Sequence, residues 1–242
     1  MISGLMDFDR FGVLTEEGLP GDEIRELIHI AHQEGMSVMA HANGARTVQA
    51  AAEAGADRLE LNSAFYLGGL TPTVGMVRLA EENGLDVYVS VFTGWMSGFW
   101  FLPNYTWDKH VITDPFMVEA EEFLLDKLAE RLMPEKAFKG IDLGNELNVY
   151  GFLLKEFSLE EGDAWLRHMT AYTQAKFPGK EVVLGVDHTP WFEDHNFSRS
   201  ALAQTGTMTS LHTWIEYSGA TKFGIHSSEV RSLPEFNIEL AN

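Results

Sequence analysis

The chain contains no cysteine among its 242 residues. Disulfides, thiolate metal sites and cysteine nucleophiles are therefore excluded, although the absence of cysteine does not identify a compartment. Long apolar runs are also missing, because the longest are strand-sized and are interrupted by Gly, Asp, Asn or His. The N-terminus lacks a basic region followed by an apolar run. We therefore expect neither a membrane span nor a signal peptide, with a cytoplasmic setting as the default.

Basic residues are scarce. Lys and Arg together number 17 against 36 Asp and Glu, which gives a formal net charge of −19. A charge of this sign opposes binding to phosphate backbones and to anionic membranes. We therefore expect a small-molecule substrate and neither nucleic acid nor a membrane as partner.

Short β-branched runs alternate with helix-patterned stretches roughly every thirty residues, which is typical of repeated βα units around a parallel sheet. No Gly-rich phosphate turn follows the first run, so the pattern favours a TIM-type (β/α) barrel over a doubly wound sheet. A length of 242 residues suits one barrel domain. The predicted strands are Ile2–Phe8, Ser37–His41, Arg58–Asn62, Asp86–Phe92, Gly140–Gly144, Val182–Asp187 and Ser210–Trp214.

The C-terminal segment raises the question of an eighth strand, because a closed barrel of this type needs eight and seven are readable. Phe236, Ile238 and Leu240 alternate as a strand would, whereas Leu233, Phe236 and Leu240 also fit one face of a helix. We favour the helix, so the eighth strand is either missing or formed by this segment. An open barrel leaves unpaired strand edges, which predicts self-association through them.

Helix ends carry recognisable residues. Ser158 and Glu161 have the spacing of a capping box at a helix start. Glycines that end helical patterns just before strands are Gly35, Gly55 and Gly84. One predicted helix has an apolar face made of Phe116, Ala120, Phe123, Leu124 and Leu128.

The carboxyl ends of the strands and the loops after them form the active site in a (β/α) barrel. Polar and aromatic residues at these positions are His41, Asn43, Glu60, Asn62, Trp95, Asn145, Glu146, Asp187, His188, His212 and Trp214. The run from residue 140 to 148 places Asn145 and Glu146 where a strand leaves the barrel, and it is too polar for core packing alone. We predict a functional role for Glu146; the alternative is a carboxylate that only accepts hydrogen bonds from loop amides.

Residues 86 to about 223 resemble a clan of retaining barrel glycoside hydrolases whose fourth strand ends in Asn-Glu. The resemblance is carried by Val87–Phe92, Gly94–Pro103, Asp142–Asn148, Val183–Trp191 and Leu211–Trp214. It implies a carbohydrate substrate, with Glu146 as the general acid/base that protonates the leaving oxygen and Asn145 as the ligand of the sugar 2-hydroxyl. The residues that it implies for substrate binding are Trp95, Asp187, His188, Trp191, His212 and Trp214, with the three tryptophans stacking on sugar faces.

The second carboxylate of a retaining mechanism has to lie about 5–5.5 Å from the first. In this clan it is a Glu on the seventh strand, and residues Leu233 to Asn242 resemble the helix that leads into that strand. The nucleophile is therefore uncertain or absent, and Glu239 and Glu216 are the candidate substitutes.

The first half of the chain carries two other resemblances. Residues 1 to 56 resemble metal-dependent amidohydrolases, above all in the run Gly35–Gly44, which implies a zinc ligand at His41 assisted by His188, Asp187 or His212. Residues 56 to 85 resemble the CutC copper-homeostasis family. Asn62 stands where that family has a Cys, so thiol-based copper binding is not expected.

Three resemblances joined near residues 56 and 86 predict a mosaic, either recombined or designed. Barrel units pack against any compatible neighbour, whereas catalytic groups need placement to within about 0.5 Å, so mixing preserves fold more readily than function. Three hypotheses remain open: a glycoside-hydrolase-like barrel that needs no cofactor, a chimeric or designed scaffold without native activity, and a zinc-dependent, amidohydrolase-like hydrolase.

Overall fold

The computed structural model describes residues 21–42, 45–62, 70–92, 95–96, 99–100, 102, 106–206, 208–214 and 219–241. The predicted strand Ile2–Phe8 and the candidates Asn43 and Glu216 lie outside these residues. The described chain divides into two compact units, one formed by the residues up to Val91 with Phe123–Ile141 and the other by Phe92–Glu122 with the residues from Asp142 onward.

The strands in chain order are β1 Met39–Ala42, β2 Arg58–Asn62, β3 Asp86–Ser90, β4 Trp95–Met96, β5 Phe99–Trp100, β6 Phe138–Asn145 and β7 Glu181–Gly185. Five of them form one sheet in the order β1-β2-β3-β6-β7, while β4 and β5 pair antiparallel with each other. The helices are α1 Gly21–Gln33, α2 Ala45–Ala54, α3 Leu70–Glu82, α4 Pro115–Leu132, α5 Leu147–Leu153, α6 Leu159–Lys176, α7 Thr189–Phe192, α8 Arg199–Ala203 and α9 Ser228–Ala241, with a short 3-10 helix at Ala220–Phe223.

In the first unit, β1, β2 and β3 pair in parallel. Leu59, Leu61, Val87 and Val89 are fully buried and alternate with polar positions, as side chains on opposite faces of a strand do. The register sets His41, Glu60 and Tyr88 side by side on the other face. This alternation of parallel strands with helices confirms the predicted α/β fold.

The second unit is built around β7, the C-terminal part of β6 and the helices that follow them. Helix α6 begins at the predicted capping box, where the Ser158 side chain accepts from the backbone of Glu161 and the Glu161 carboxylate accepts from Ser158. Helix α9 packs through Val230 and Leu233 against Ala220 of the 3-10 helix. The favoured helix at the chain's C-terminal end is therefore confirmed.

One strand prediction is wrong. Residues 210–214 do not form a strand and make a single parallel bridge, His212 with Asp187. The His212 amide donates to the Val186 carbonyl at 3.1 Å, but the Trp214 amide then turns back to the His212 carbonyl at 3.0 Å, which ends the pairing.

The predicted apolar face of α4 is wrong in part: Leu128 is buried as predicted, but the rest of the buried face does not match the predicted positions. Phe116 and Phe123 are 53% and 64% exposed. The buried positions follow the same helical spacing but start at the next residue, and they are Met117, Glu121, Leu125, Leu128 and Leu132. Helical spacing alone does not fix which of two adjacent stripes faces the interior when one of them contains a carboxylate.

No helix in the described part of the chain combines the length and the apolar composition needed to cross a bilayer.

Candidate functional site

Glu146 directly follows β6, and its backbone is held in an unusual conformation. Its φ of 54° and ψ of 45° are left-handed, which few residues other than glycine adopt. The Glu146 amide donates to the Gly185 carbonyl at 2.8 Å, so this turn is fixed to the end of β7. Such strain is typical of functional positions and costs about 1–3 kcal/mol, which the surrounding packing has to offset.

The Glu146 carboxylate is 5% exposed and is held by two donors. His212 Nδ1 lies 2.9 Å from Oε1, and Trp214 Nε1 donates to the same oxygen. A carboxylate oxygen only accepts, so a neutral His212 carries its proton on Nδ1. Two N–H donors on Oε1 give that oxygen carbonyl character, so a proton bound by Glu146 resides on Oε2.

Asp142 ties the end of β6 to the end of β7. It is 3% exposed, and its Oδ1 accepts from the Gly144 amide at 3.1 Å and from the Gly185 amide at 2.9 Å. A side chain at Gly185 would fit only tightly, because its Cβ would lie 3.0 Å from His212 Nε2 and 3.1 Å from Asp142 Oδ2. The imidazole that holds Glu146 therefore occupies space that this glycine leaves open.

Asp187 is part of a second buried network. Asn148 is fully buried and donates from Nδ2 to Asp187 Oδ1 at 2.6 Å, while the Asp187 amide donates to Asn148 Oδ1 at 3.2 Å. Asp187 also accepts from the Thr189 amide at 2.8 Å and from its hydroxyl at 3.2 Å, which starts α7. These contacts fix the loop after β7.

The remaining residues of the predicted site are found in different surroundings. Trp95 belongs to β4, but its side chain lies outside the description. Trp191 is 1% exposed, so its ring is covered by protein, whereas Trp214 is 36% exposed. His188 is buried and meets the Phe192 ring edge-on at 5.8 Å.

Asn145 is the last residue of β6 and is 3% exposed. Glu239, the candidate nucleophile, lies at an exposed position of α9. The structure thus brings His212 and Trp214 into direct contact with Glu146, the residue that follows Asn145.

His41, the predicted zinc ligand, lies in the first unit. Its Nε2 is 3.5 Å from Oε2 of Glu60, a carboxylate that is almost completely buried. Within the described ranges, no three or more His, Asp or Glu side chains are grouped so as to hold a metal ion. The zinc hypothesis stays a prediction.

Three buried acidic residues were not singled out from the sequence, and they are Asp142, Glu121 and Glu135. Glu135 forms an ion pair with Arg78. Asp142 sits within the polar run that drew attention to Glu146, and alternation along β6 would have placed both on one face. Glu121 is 6% exposed, and its Oε2 accepts from Trp165 Nε1 at 2.9 Å. The pKa of Glu121 is raised to about 8, chiefly by burial and in smaller part by the Glu122 carboxylate, while the hydrogen bond from Trp165 opposes the shift.

Comparison with known families gives two results for the two parts of the chain. A model of the CutC family matches residues 24–93. A CutC family protein of Treponema denticola is 31% identical over 111 residues, which are 46% of this chain and 35% of that protein. The CutC likeness therefore begins before residue 56, where the sequence pattern had placed a boundary.

Solved structures support the resemblance to glycoside hydrolases. A GH5_18 protein from Streptomyces cattleya in complex with GlcNAc superposes with a TM-score of 0.73 at 25% identity, over 82% of this chain and 53% of that chain. A variant GH5_18 protein from Bifidobacterium longum subsp. longum in complex with Manb1-4GlcNAc gives a TM-score of 0.74 at 29% identity, over 81% of this chain and 50% of the other. The chain spans about half the length of these proteins and about a third of the CutC relative. It shares an α/β fold with glycoside hydrolases of the TIM-barrel type and carries a CutC-like segment within it.

Proposed function

We propose that this protein is an O-glycosyl hydrolase in which Glu146 is the general acid/base. The observation that carries the proposal is the arrangement of the carboxylate: it is buried, it follows Asn145 at the end of β6, and one of its oxygens is fixed by two N–H donors. A carboxylate that merely capped the loop would accept from loop amides. Glu146 accepts from two side chains of a distant segment, His212 and Trp214.

The chemistry follows from this arrangement. His212 and Trp214 hold Oε1, so the proton is delivered from Oε2 to the glycosidic oxygen as the bond to the anomeric carbon breaks. In the second half of the reaction the same oxygen takes a proton from the attacking water. Asn145, the preceding residue, would bind the sugar 2-hydroxyl.

We further propose a β-linked mannosyl disaccharide as the substrate class, because two of the similar solved structures hold GlcNAc and Manb1-4GlcNAc. A retaining mechanism needs a second carboxylate about 5–5.5 Å from the first. Glu239 and Glu216 remain the proposed candidates. Exchange of either for Gln identifies the nucleophile if it abolishes turnover while a folded protein is retained.

Hydrolysis of Manb1-4GlcNAc by the wild-type chain and by Glu146→Gln tests the proposal, with Glu193→Gln as the matched control because Glu193 is an exposed carboxylate of the same unit. We expect turnover by the wild type and by the control, and a loss of about 10²- to 10⁴-fold in Glu146→Gln. Each assay is run with zinc and with a chelator. Turnover that depends on zinc would favour the amidohydrolase-like alternative, and a folded chain without turnover under either condition would favour a scaffold.

A further inference from the structure

The segment that holds Glu146 has little backbone pairing of its own. Residues 208–214 make one β-bridge, between His212 and Asp187. Beyond it the Trp214 amide bonds back to the His212 carbonyl at 3.0 Å. Thr213 lies between the two residues whose side chains donate to Glu146, so whatever fixes Thr213 also fixes both donors.

A helix from the end of the chain supplies that contact. Asn237 of α9 donates from Nδ2 to Thr213 Oγ1 at 3.0 Å. The Asn237 side chain is completely buried. An amide that is buried without a hydrogen bond costs about 1–3 kcal/mol, so this contact is favoured over separation of the two groups.

Helix α9 is itself anchored. Asn237 lies four residues after Leu233 and seven after Val230, so all three share the buried face of the helix. The neighbouring Phe236 ring contacts Phe192 of α7 in a tilted arrangement, with a centroid distance of 5.7 Å. A leucine at position 237 has the same branching as the asparagine amide, but it could not bond to Thr213.

We propose that Asn237 is a positioning residue of the Glu146 site. It holds Thr213 and, through Thr213, sets the positions of the His212 imidazole and the Trp214 indole against the carboxylate. The inference rests on the proposed function for its effect on catalysis. The geometric part stands apart from it, because the indole N–H reports the contact without turnover.

The test compares Asn237→Leu, Thr213→Val, Thr213→Ser and the double variant Asn237→Leu/Thr213→Val. Thr213→Val removes the acceptor at nearly constant volume, while Thr213→Ser keeps a hydroxyl. The readouts are the ¹H–¹⁵N resonance of the Trp214 indole, assigned with Trp214→Phe, and kcat and KM for Manb1-4GlcNAc. We expect Asn237→Leu and Thr213→Val each to shift the indole resonance. Each should also lower kcat by about 10- to 100-fold with KM little changed, because small misplacements of catalytic groups are costly.

Thr213→Ser should restore both readouts, and the double variant should be no worse than the poorer single variant, since both changes remove one interaction. The proposal is overturned if the Trp214 resonance is the same in folded Asn237→Leu and the wild type, or if the two substitutions add. If Asn237→Leu does not fold, Thr213→Val alone decides, because it leaves α9 intact. An indole shift without wild-type turnover would uphold the positioning and reject the proposed function.

Discussion

At the scale of single residues, the site depends on groups that sequence patterns describe unequally well. Glu146 and Asn145 could be recognised because two polar residues at the end of a buried strand have no packing role. The contacts of His212 and Trp214 with Glu146 could not be deduced, because they join residues 66 and 68 positions apart. Trp214 is predicted to stack on a sugar, which stays a prediction, and its ring nitrogen donates to Glu146.

Gly185 gives a prediction at this scale. A Cβ at this position would lie 3.0 Å from His212 Nε2, so Gly185→Ala should displace the imidazole from Glu146. We expect kcat for Manb1-4GlcNAc to fall by at least about tenfold, since the acid would lose a fixed donor.

The control for Gly185→Ala has to be a glycine whose φ other residues also adopt. This excludes Gly179, whose φ of 77° disfavours any side chain. Gly75→Ala serves instead, since a Cβ there meets nothing within 4 Å. Unchanged kcat in folded Gly185→Ala would show that the His212 contact is dispensable.

At the scale of helices and strands, the local sequence predicts more of the structure than it does at the candidate site. The capping box at Ser158 was predicted and found, because it depends only on residues within one turn. The strand expected at 210–214 was not found, because the Trp214 amide turns back to the His212 carbonyl and ends the pairing after one bridge. Most of the buried face of α4 lies one residue away from the predicted one, because an apolar pattern does not include the buried carboxylate of Glu121.

The cap predicts a stability effect. Ser158→Ala removes the side chain that accepts from the Glu161 amide at 3.3 Å and donates to its carboxylate at 2.8 Å. We expect the free energy of unfolding to fall by about 0.5–2 kcal/mol in urea titrations. Ser158→Thr keeps the hydroxyl and should lie close to the wild type. Equal losses in both variants would mean that the cap does not stabilise α6.

Helix α4 predicts a pH effect through Glu121. Its pKa is raised from 4.5 to about 8 in the folded chain, so between these values the folded state keeps a proton that the unfolded state releases. The free energy of unfolding should therefore fall as pH rises through this window, with a contribution of at most about 1.4 kcal/mol per pH unit.

Glu121→Gln should remove this part of the pH dependence and still accept from Trp165. Glu119→Gln, an exposed change on the same helix, is the control and should keep the wild-type slope. The free energy of unfolding is measured by chemical denaturation between pH 5 and pH 8, which is about the window set by the raised pKa. Parallel slopes of this free energy against pH for Glu121→Gln and the wild type would contradict the buried, protonated state.

At the scale of the whole molecule, the net charge of −19 dominates. Mutual repulsion of the acidic groups opposes the compact state, and salt screens it. We expect Tm to rise when sodium chloride is increased from about 0.01 M to about 0.15 M, over which the screening length falls from about 30 to about 8 Å. A Tm that falls over this range would mean that attractive ion pairs outweigh the repulsion.

Different parts of the chain resemble different families, which is also a property of the whole molecule. The CutC match to residues 24–93 and the GH5_18 superpositions support two of the three resemblances seen in the sequence. The α/β fold could be predicted because strand and helix patterns are local. Self-association through strand edges stays a prediction, and the dependence of sedimentation mass on concentration tests it.

The central claim is that Glu146 donates the proton to the leaving group. The most direct test is whether the activity lost in Glu146→Gln depends on the acidity of the leaving group. The measurement is kcat/KM of Glu146→Gln relative to the wild type for Manb1-4GlcNAc and for 2,4-dinitrophenyl β-mannoside. The dinitrophenolate departs without protonation, so we expect a loss of about 10²- to 10⁴-fold for the disaccharide and a much smaller loss for the aryl glycoside. An equal loss for both substrates, or none for either, would contradict the assignment of Glu146 as the acid.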